Sequence, residues 1–329
     1  MKRALIVGIN DYPDCPLGGC VNDAEAVAQV LATDGDGSPN FAVRLLTSET
    51  EIVTTAVLHD ALVELFSGDA DTVLFFFAGH GIINPVTNDG FILSQDGRRP
   101  AWGISLADIL TLANKAYPKI KSSIVVLDSC QSGFAGEIAG LGTDQLSVIG
   151  NGVTILTSCH RDGTAQEVAG HGVFTAMFVD GLNGSAADIC GRITPAAVYS
   201  HIDQTLGAWE QRPIYKANVQ TFVTLREISP KVPKEVLRQL PAYFPTAPHV
   251  FALDPSFEPD RANVPKRFRH IPVNQENSRV FRELQKCNRH GLVVPVDAEH
   301  MYDAAMNSTG CKLTALGAHY RKLAQLGRV

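Results

Sequence analysis

Four short segments of this chain are dominated by apolar residues: 3–9 (RALIVGI), 72–78 (TVLFFFA), 122–128 (SSIVVLD) and 152–158 (GVTILTS). A strand without polar alternation has no face to give to water, so it must be covered on both sides. Between these runs lie stretches with apolar positions at helical spacing: 22–33, 51–66 and 105–116, then 171–183 and 194–208. Asn22 and Ser105 stand where helix N-caps belong. Residues 41–46 (FAVRLL) supply a further strand, and 219–225 (VQTFVTL) is expected to close the sheet. Strands alternating with helices predict an α/β fold, a mostly parallel sheet between two helical layers. In such sheets the ligand crevice lies at the carboxyl ends of the strands.

The chain has 329 residues, enough for one large domain and a small one. Its formal net charge of -6 argues against general nucleic-acid binding, which uses a basic surface. No apolar run approaches the roughly 20 residues that span a bilayer. The N-terminal apolar run is broken by Asn10, Asp11 and Pro13, unlike a signal peptide. The chain therefore reads as cytoplasmic, with no membrane partner. Its seven cysteines are an odd, scattered set rather than a disulfide framework, and they lack the paired CxxC spacing of a zinc site.

The character of the sequence changes near residue 229. Residues 229–273 are rich in proline and read as a linker or extended crossover. Helical patterns return over 274–329, a small module with winged-helix-like patterning. Its basic residues Arg279, Arg282, Lys286, Arg289, Arg321, Lys322 and Arg328 read as a solvated helical face in a docking domain, or as a surface that binds nucleic acid or a regulatory protein.

Two strand ends carry chemistry. The run at 72–78 continues into Gly79-His80-Gly81, and the run at 122–128 continues into Ser129-Cys130-Gln131. Sequential strands are usually neighbours, which puts His80 and Cys130 in one crevice. An adjacent imidazole takes the thiol proton and produces the nucleophilic thiolate. A rival thiol, Cys159, has His160 directly beside it, but adjacent residues on a strand point to opposite faces. Ser129 and Ser132 lack the G-x-S-x-G elbow of a serine hydrolase.

At LFFFAGHG and VVLDSCQSG the chain resembles the caspase-like clan of cysteine peptidases, metacaspases and their bacterial relatives in particular. LIVGINDYPDCPLGGCVNDA and GHGVFTAMFVDGL resemble two further motifs of that family, in the same order. The resemblance covers residues 1–228. It implies a caspase-like three-layer αβα sandwich with a six-stranded sheet. It implies a cysteine endopeptidase with Cys130 as nucleophile and His80 as its partner, acting on protein substrates. N–H groups near Gly81 and Cys130 would form the oxyanion hole. Relatives of this kind act in regulated proteolysis or antiviral defence. The alternative is a catalytically silent scaffold or signalling adaptor, against which both His80 and Cys130 are present.

Asp23 and Asp128 stand near strand ends as well, and two carboxylates in one concavity favour a cation such as Arg. Taken singly, Asp23 suits a helix N-terminus and Asp128 a local backbone contact. The matching acids in metacaspase-like enzymes recognise Arg or Lys, so the resemblance implies cleavage after basic residues. Ser158 is a further candidate for that pocket. Arg161 and Arg98 are the candidate self-cleavage sites. No cofactor is indicated. Asp89, Asp96 and Glu137 are scattered acids without a calcium-loop pattern, and calcium is left unassigned.

Overall fold

The computed structural model describes residues 1–84, 86, 89–99, 101–129, 149–158, 167–168, 170–207, 212–262 and 264–329. The chain divides into two compact units. The first comprises Met1–Ala187 and Arg192–Ile228, the second Asp188–Gly191 and Ser229–Val329.

In the first unit, β1 (Lys2–Gly8), α1 (Cys20–Ala32), β2 (Phe41–Thr47), α2 (Thr55–Ser67) and β3 (Thr72–Ala78) follow one another. A small antiparallel sheet comes next, of β4 (Gly81–Ile83), β5 (Gly90–Arg98) and β6 (Ala101–Ser105). Then come α3 (Leu106–Ala116), β7 (Ser122–Asp128), β8 (Val153–Thr157) and the short pair β9 (Glu167–Val168) and β10 (His171–Gly172). The unit ends with α4 (Val173–Asp180), β11 (Arg192–Ile193), α5 (Pro195–Leu206), β12 (Ile214–Asn218) and β13 (Arg226–Glu227). The main sheet has six strands in the order β12-β8-β7-β3-β1-β2. All neighbours are parallel except β12, which runs antiparallel to β8.

The fully apolar strands do bury both faces. Leu5, Val7, Phe75, Phe77, Val125 and Leu127 pack toward α2 and α3 with Leu58, Leu62 and Ile109. The alternate residues Ile6, Leu74, Phe76, Ile124 and Val126 pack toward α1, α4 and α5 with Val27, Leu31, Phe178 and Ile202. Each such side chain contributes about 1.5–3 kcal/mol by leaving water, so the central strands are the most costly part of the fold to disturb. The expected three-layer sandwich and its mostly parallel six-stranded sheet are thus present.

The closing strand is β12, at 214–218, and not 219–225. Val219 and Phe222 are exposed, and the Arg192 guanidinium lies 4.9 Å from the Phe222 ring centre. The sequence reading also passes over β4–β6. Asp96 pins that sheet: its Oδ1 accepts from the N–H of Thr55 at 2.7 Å and from the Ser94 hydroxyl at 2.7 Å. These donors hold the Asp96 carboxyl below its usual range, although burial opposes them.

The second unit contains α6 (Lys234–Tyr243), β14 (Val250–Phe251), α7 (Gln275–Arg289), β15 (Val293–Val296), α8 (Met301–Met306), β16 (Gly310–Leu313) and α9 (Ala315–Gln325). Its strands form an antiparallel sheet in the order β14-β16-β15, so it is a mixed unit and not a purely helical one. Residues 229–273, expected as a linker, supply Leu237, Leu240, Phe244, Leu253 and Phe257 to the same core as Phe281, Leu284 and Met301. Two of the basic residues read as a docking face are engaged internally. Arg321 is buried and donates to the carbonyls of Phe244 and Pro245. Arg279 pairs with Glu276 and Glu283 along α7. Among the described residues no helix is long and apolar enough to cross a membrane.

Candidate active site

The carboxyl ends of β3 and β7 are neighbours. Ala78 is paired with Asp128, and the Gly79 N–H donates to the Asp128 carbonyl at 3.3 Å. His80 therefore leaves the sheet beside the strand whose sequence continues into Cys130. Cys130 itself lies outside the described residues, as do Arg161, Cys159, His160 and Glu137.

His80 is held at three points. Its Nε2 lies 2.7 Å from the carbonyl oxygen of Cys15. Its backbone N–H donates to the Tyr12 hydroxyl at 3.1 Å, and its carbonyl accepts from the Leu93 N–H at 2.9 Å. The Tyr12 and His80 ring centres are 4.6 Å apart. Tyr12 passes the restraint onward by donating to the Leu93 carbonyl at 3.3 Å. Burial holds the Tyr12 hydroxyl protonated, far above the usual tyrosine range. Gly79 is required here, because a Cβ would stand 2.5 Å from the Tyr12 hydroxyl and 2.7 Å from Phe77 Cζ.

Tyr12 and Cys15 sit on the loop between β1 and α1, which Asn10 organises. The Asn10 Oδ1 accepts from the N–H groups of Cys20 at 2.9 Å and Val21 at 3.2 Å, capping α1 from ten residues upstream. Its carbonyl accepts from Leu17, and its N–H donates to the Ser48 hydroxyl at 3.0 Å. Asn22, expected as the cap, lies inside α1 and donates to the Gly170 carbonyl instead.

Asp23 and Asp128 converge. Asp23 is 2% exposed and Asp128 6%. The Asp23 carboxylate does not cap its own helix. It accepts from the Gly172 N–H at Oδ2, 2.9 Å, and its Oδ1 lies 2.9 Å from His171 Nδ1. Asp128 Oδ2 accepts from the Thr175 hydroxyl at 2.6 Å. A Cβ on Gly172 would lie 2.4 Å from Asp128 Oδ2 and 3.0 Å from Asp23 Oδ2, so both carboxylates close on the space a side chain would fill. Burial pushes the Asp23 carboxyl up to about 6. The Gly172 N–H and His171 pull it back, and the nearby Asp128 charge adds to the rise. Two buried acids this close make a site that favours a cation.

The other expected site residues fall as follows. Gly81 begins β4 and is paired with Ile92. Ser158 is buried and its hydroxyl turns to the Ser129 carbonyl at 3.5 Å, while its N–H donates to Leu127 at 2.9 Å. Arg98 is exposed at the end of β5 and is paired with Ala101. Among the described residues no group of three His, Cys, Asp or Glu could hold a metal ion. Tyr12, Cys15, His171, Gly172 and Thr175 escape the sequence reading. The GHGVFT segment contains three of them and the LIVGINDYPDC segment the other two, and these two motifs are the signals that could have drawn attention to them.

The family model described as Caspase domain matches residues 1–226. No curated protein matches the sequence. Among solved structures, protein GSU0716 from Geobacter sulfurreducens is similar with a TM-score of 0.53 at 17% identity, over 70% of this chain and 98% of that one. Caspase-1 from Spodoptera frugiperda gives a TM-score of 0.48 at 11% identity, over 69% of this chain and 90% of that one. At 17% identity the first likeness speaks to the fold.

Proposed function

Because the chain belongs to the caspase-domain family of peptidases, we propose that it is a cysteine endopeptidase of the metacaspase type, similar to the bacterial members, that cleaves proteins after Arg or Lys. The observation that carries this reading is the pair of buried carboxylates, Asp23 and Asp128, meeting at Gly172 beside the strand that leads to Cys130. An aspartate-cleaving enzyme would need cationic donors there, and this pocket supplies anions.

In this reading the Cys130 thiol gives its proton to His80, and the thiolate attacks the substrate carbonyl carbon. N–H groups near Gly81 and Cys130 stabilise the tetrahedral oxyanion. His80 then protonates the leaving amine, and water releases the acyl group in a second cycle of the same transfers. The Cys15 carbonyl supports this division of labour. A carbonyl only accepts, so it keeps the proton on Nε2 and leaves the Nδ1 lone pair for the thiol. The setting is regulated proteolysis in cell death or defence, with residues 274–329 receiving a regulatory protein.

Fluorogenic peptides ending in Arg, Lys or Asp test the reading. Turnover of the Arg and Lys peptides, lost in Cys130→Ala and in His80→Ala, is the expected result. Faster turnover of the Asp peptide defeats the specificity. No turnover of any peptide by the intact chain favours the silent scaffold. Intact mass after incubation, with Cys130→Ala as control, reads self-cleavage at Arg98 or Arg161.

A further inference from the structure

One short segment grips both acids. His171 and Gly172 come from β10 and Thr175 from the first turn of α4, whereas Asp23 comes from α1 and Asp128 from β7. His171 Nδ1 and the Gly172 N–H take the two oxygens of Asp23, and the Thr175 hydroxyl takes Oδ2 of Asp128. We infer that His171 and Thr175 are the positioning residues that set the preference for a basic substrate side chain, one for each carboxylate. This rests on the reading that the acid pair receives that side chain.

The physical argument is one of holding like charges together. Two carboxylates so close to a single point repel, and each can relieve the repulsion by turning away or by binding a proton. A donor to the charged form opposes both escapes. Thr175 is 1% exposed, so its hydroxyl has no water to compete for it and its bond to Asp128 is charge-assisted. The His171 side chain is 44% exposed while that of Asp23 is 3% exposed, so the imidazole covers the acid from the solvent side. A substrate cation then meets two carboxylates already aimed and charged, and no reorientation is needed on binding. Neither residue touches the reacting atoms, so their effect falls on binding.

The test uses the full chain and peptides ending in Arg. Thr175→Val and His171→Ala are expected to raise KM by roughly tenfold or more, the scale of a lost charge-assisted hydrogen bond, with kcat within about twofold. Thr175→Ser and His171→Gln restore the donors and are expected to recover most of the loss. Binding of the same peptide to the Cys130→Ala chain, with and without each substitution, gives the comparison independently of turnover. Asp128→Asn serves as the control for the pocket. If Asp128→Asn weakens the Arg peptide while neither Thr175→Val nor His171→Ala changes its KM or binding, this inference is overturned and the pocket stands. If Asp128→Asn leaves the Arg peptide unaffected, the pocket itself falls. Because His171 is half-exposed, His171→Ala decides the matter even where Thr175→Val fails to fold.

Discussion

The Nε2 of His80 lies 2.7 Å from the carbonyl oxygen of Cys15, a residue 65 positions earlier in the chain. Nε2 must donate in this bond, since a carbonyl has no proton to give. Of the two neutral tautomers, this bond therefore selects the one protonated at Nε2. Nitrogen-15 NMR of imidazole-labelled protein near pH 8 distinguishes the two tautomers directly. A spectrum showing His80 protonated at Nδ1 instead would remove the basis for its role as a proton acceptor.

Tyr12 ties the His80 backbone to Leu93 through one hydroxyl. Tyr12→Phe removes two part-buried hydrogen bonds, to the His80 N–H and the Leu93 carbonyl, each worth about 0.5–1.5 kcal/mol. Urea unfolding should show a lower midpoint with an unchanged slope. Peptidase turnover should fall further than stability, because His80 loses its restraint. Gly79→Ala is expected to do the same more severely, since its Cβ would press on both Tyr12 and Phe77.

Asp23 makes stability fall as pH rises. Its carboxyl is raised from 3.8 to about 6 in the folded state. Between those values the folded chain binds the proton more tightly than the unfolded chain. The contribution is therefore complete below the unfolded value and lost as pH rises through about 6. Asp23→Asn should flatten this part of the stability profile, read by urea unfolding from pH 4 to pH 7. The substrate effect has the opposite direction: KM for an Arg peptide should rise as pH falls through about 6, because protonation removes one of the two negative charges.

Asn10 caps α1 and clamps the loop that carries Tyr12 and Cys15. Asn10→Ala removes acceptors from two helix N–H groups, which typically costs about 0.5–2 kcal/mol. Asn22→Ala removes only a side-chain bond to Gly170 and should cost less. Thermal melts of the two variants rank them, and an equal loss in both would contradict the assignment of the cap.

What was legible in the sequence follows from where each signal lives. The central strands announced themselves because burial on both faces forbids polar alternation, so Leu74 to Ala78 and Ile124 to Leu127 carry their own evidence. The pairing of β3 with β7, which sets His80 beside the Asp128 strand end, followed from chain order. The edge strand was misplaced because an edge needs less apolar surface: Ile214–Asn218 is half-exposed, and the more apolar 219–225 is left outside the sheet. Asn10 as a cap, Cys15 on His80 and Thr175 on Asp128 are bonds across 10, 65 and 47 positions. No local pattern encodes them, since a hydroxyl or carbonyl recruited at a distance looks like any other in the sequence.

Arg321 offers the sharpest test of the second unit. In α9 it carries its charge into a buried position, donating to the Phe244 and Pro245 carbonyls just beyond α6 and to Gln325 Oε1 at 3.1 Å. A guanidinium so engaged binds the ends of two helices, and removing it leaves the buried Phe244 carbonyl without this donor. Arg321→Met keeps much of the side-chain volume and removes every donor. It should destabilise this unit by about 2–4 kcal/mol. Arg328→Met, at an exposed position near the chain end, should change stability by less than about 0.5 kcal/mol. Differential scanning calorimetry of both variants separates a structural arginine from a surface one. If Arg321 served instead to dock a partner, its replacement would leave the melting profile of the isolated chain unchanged.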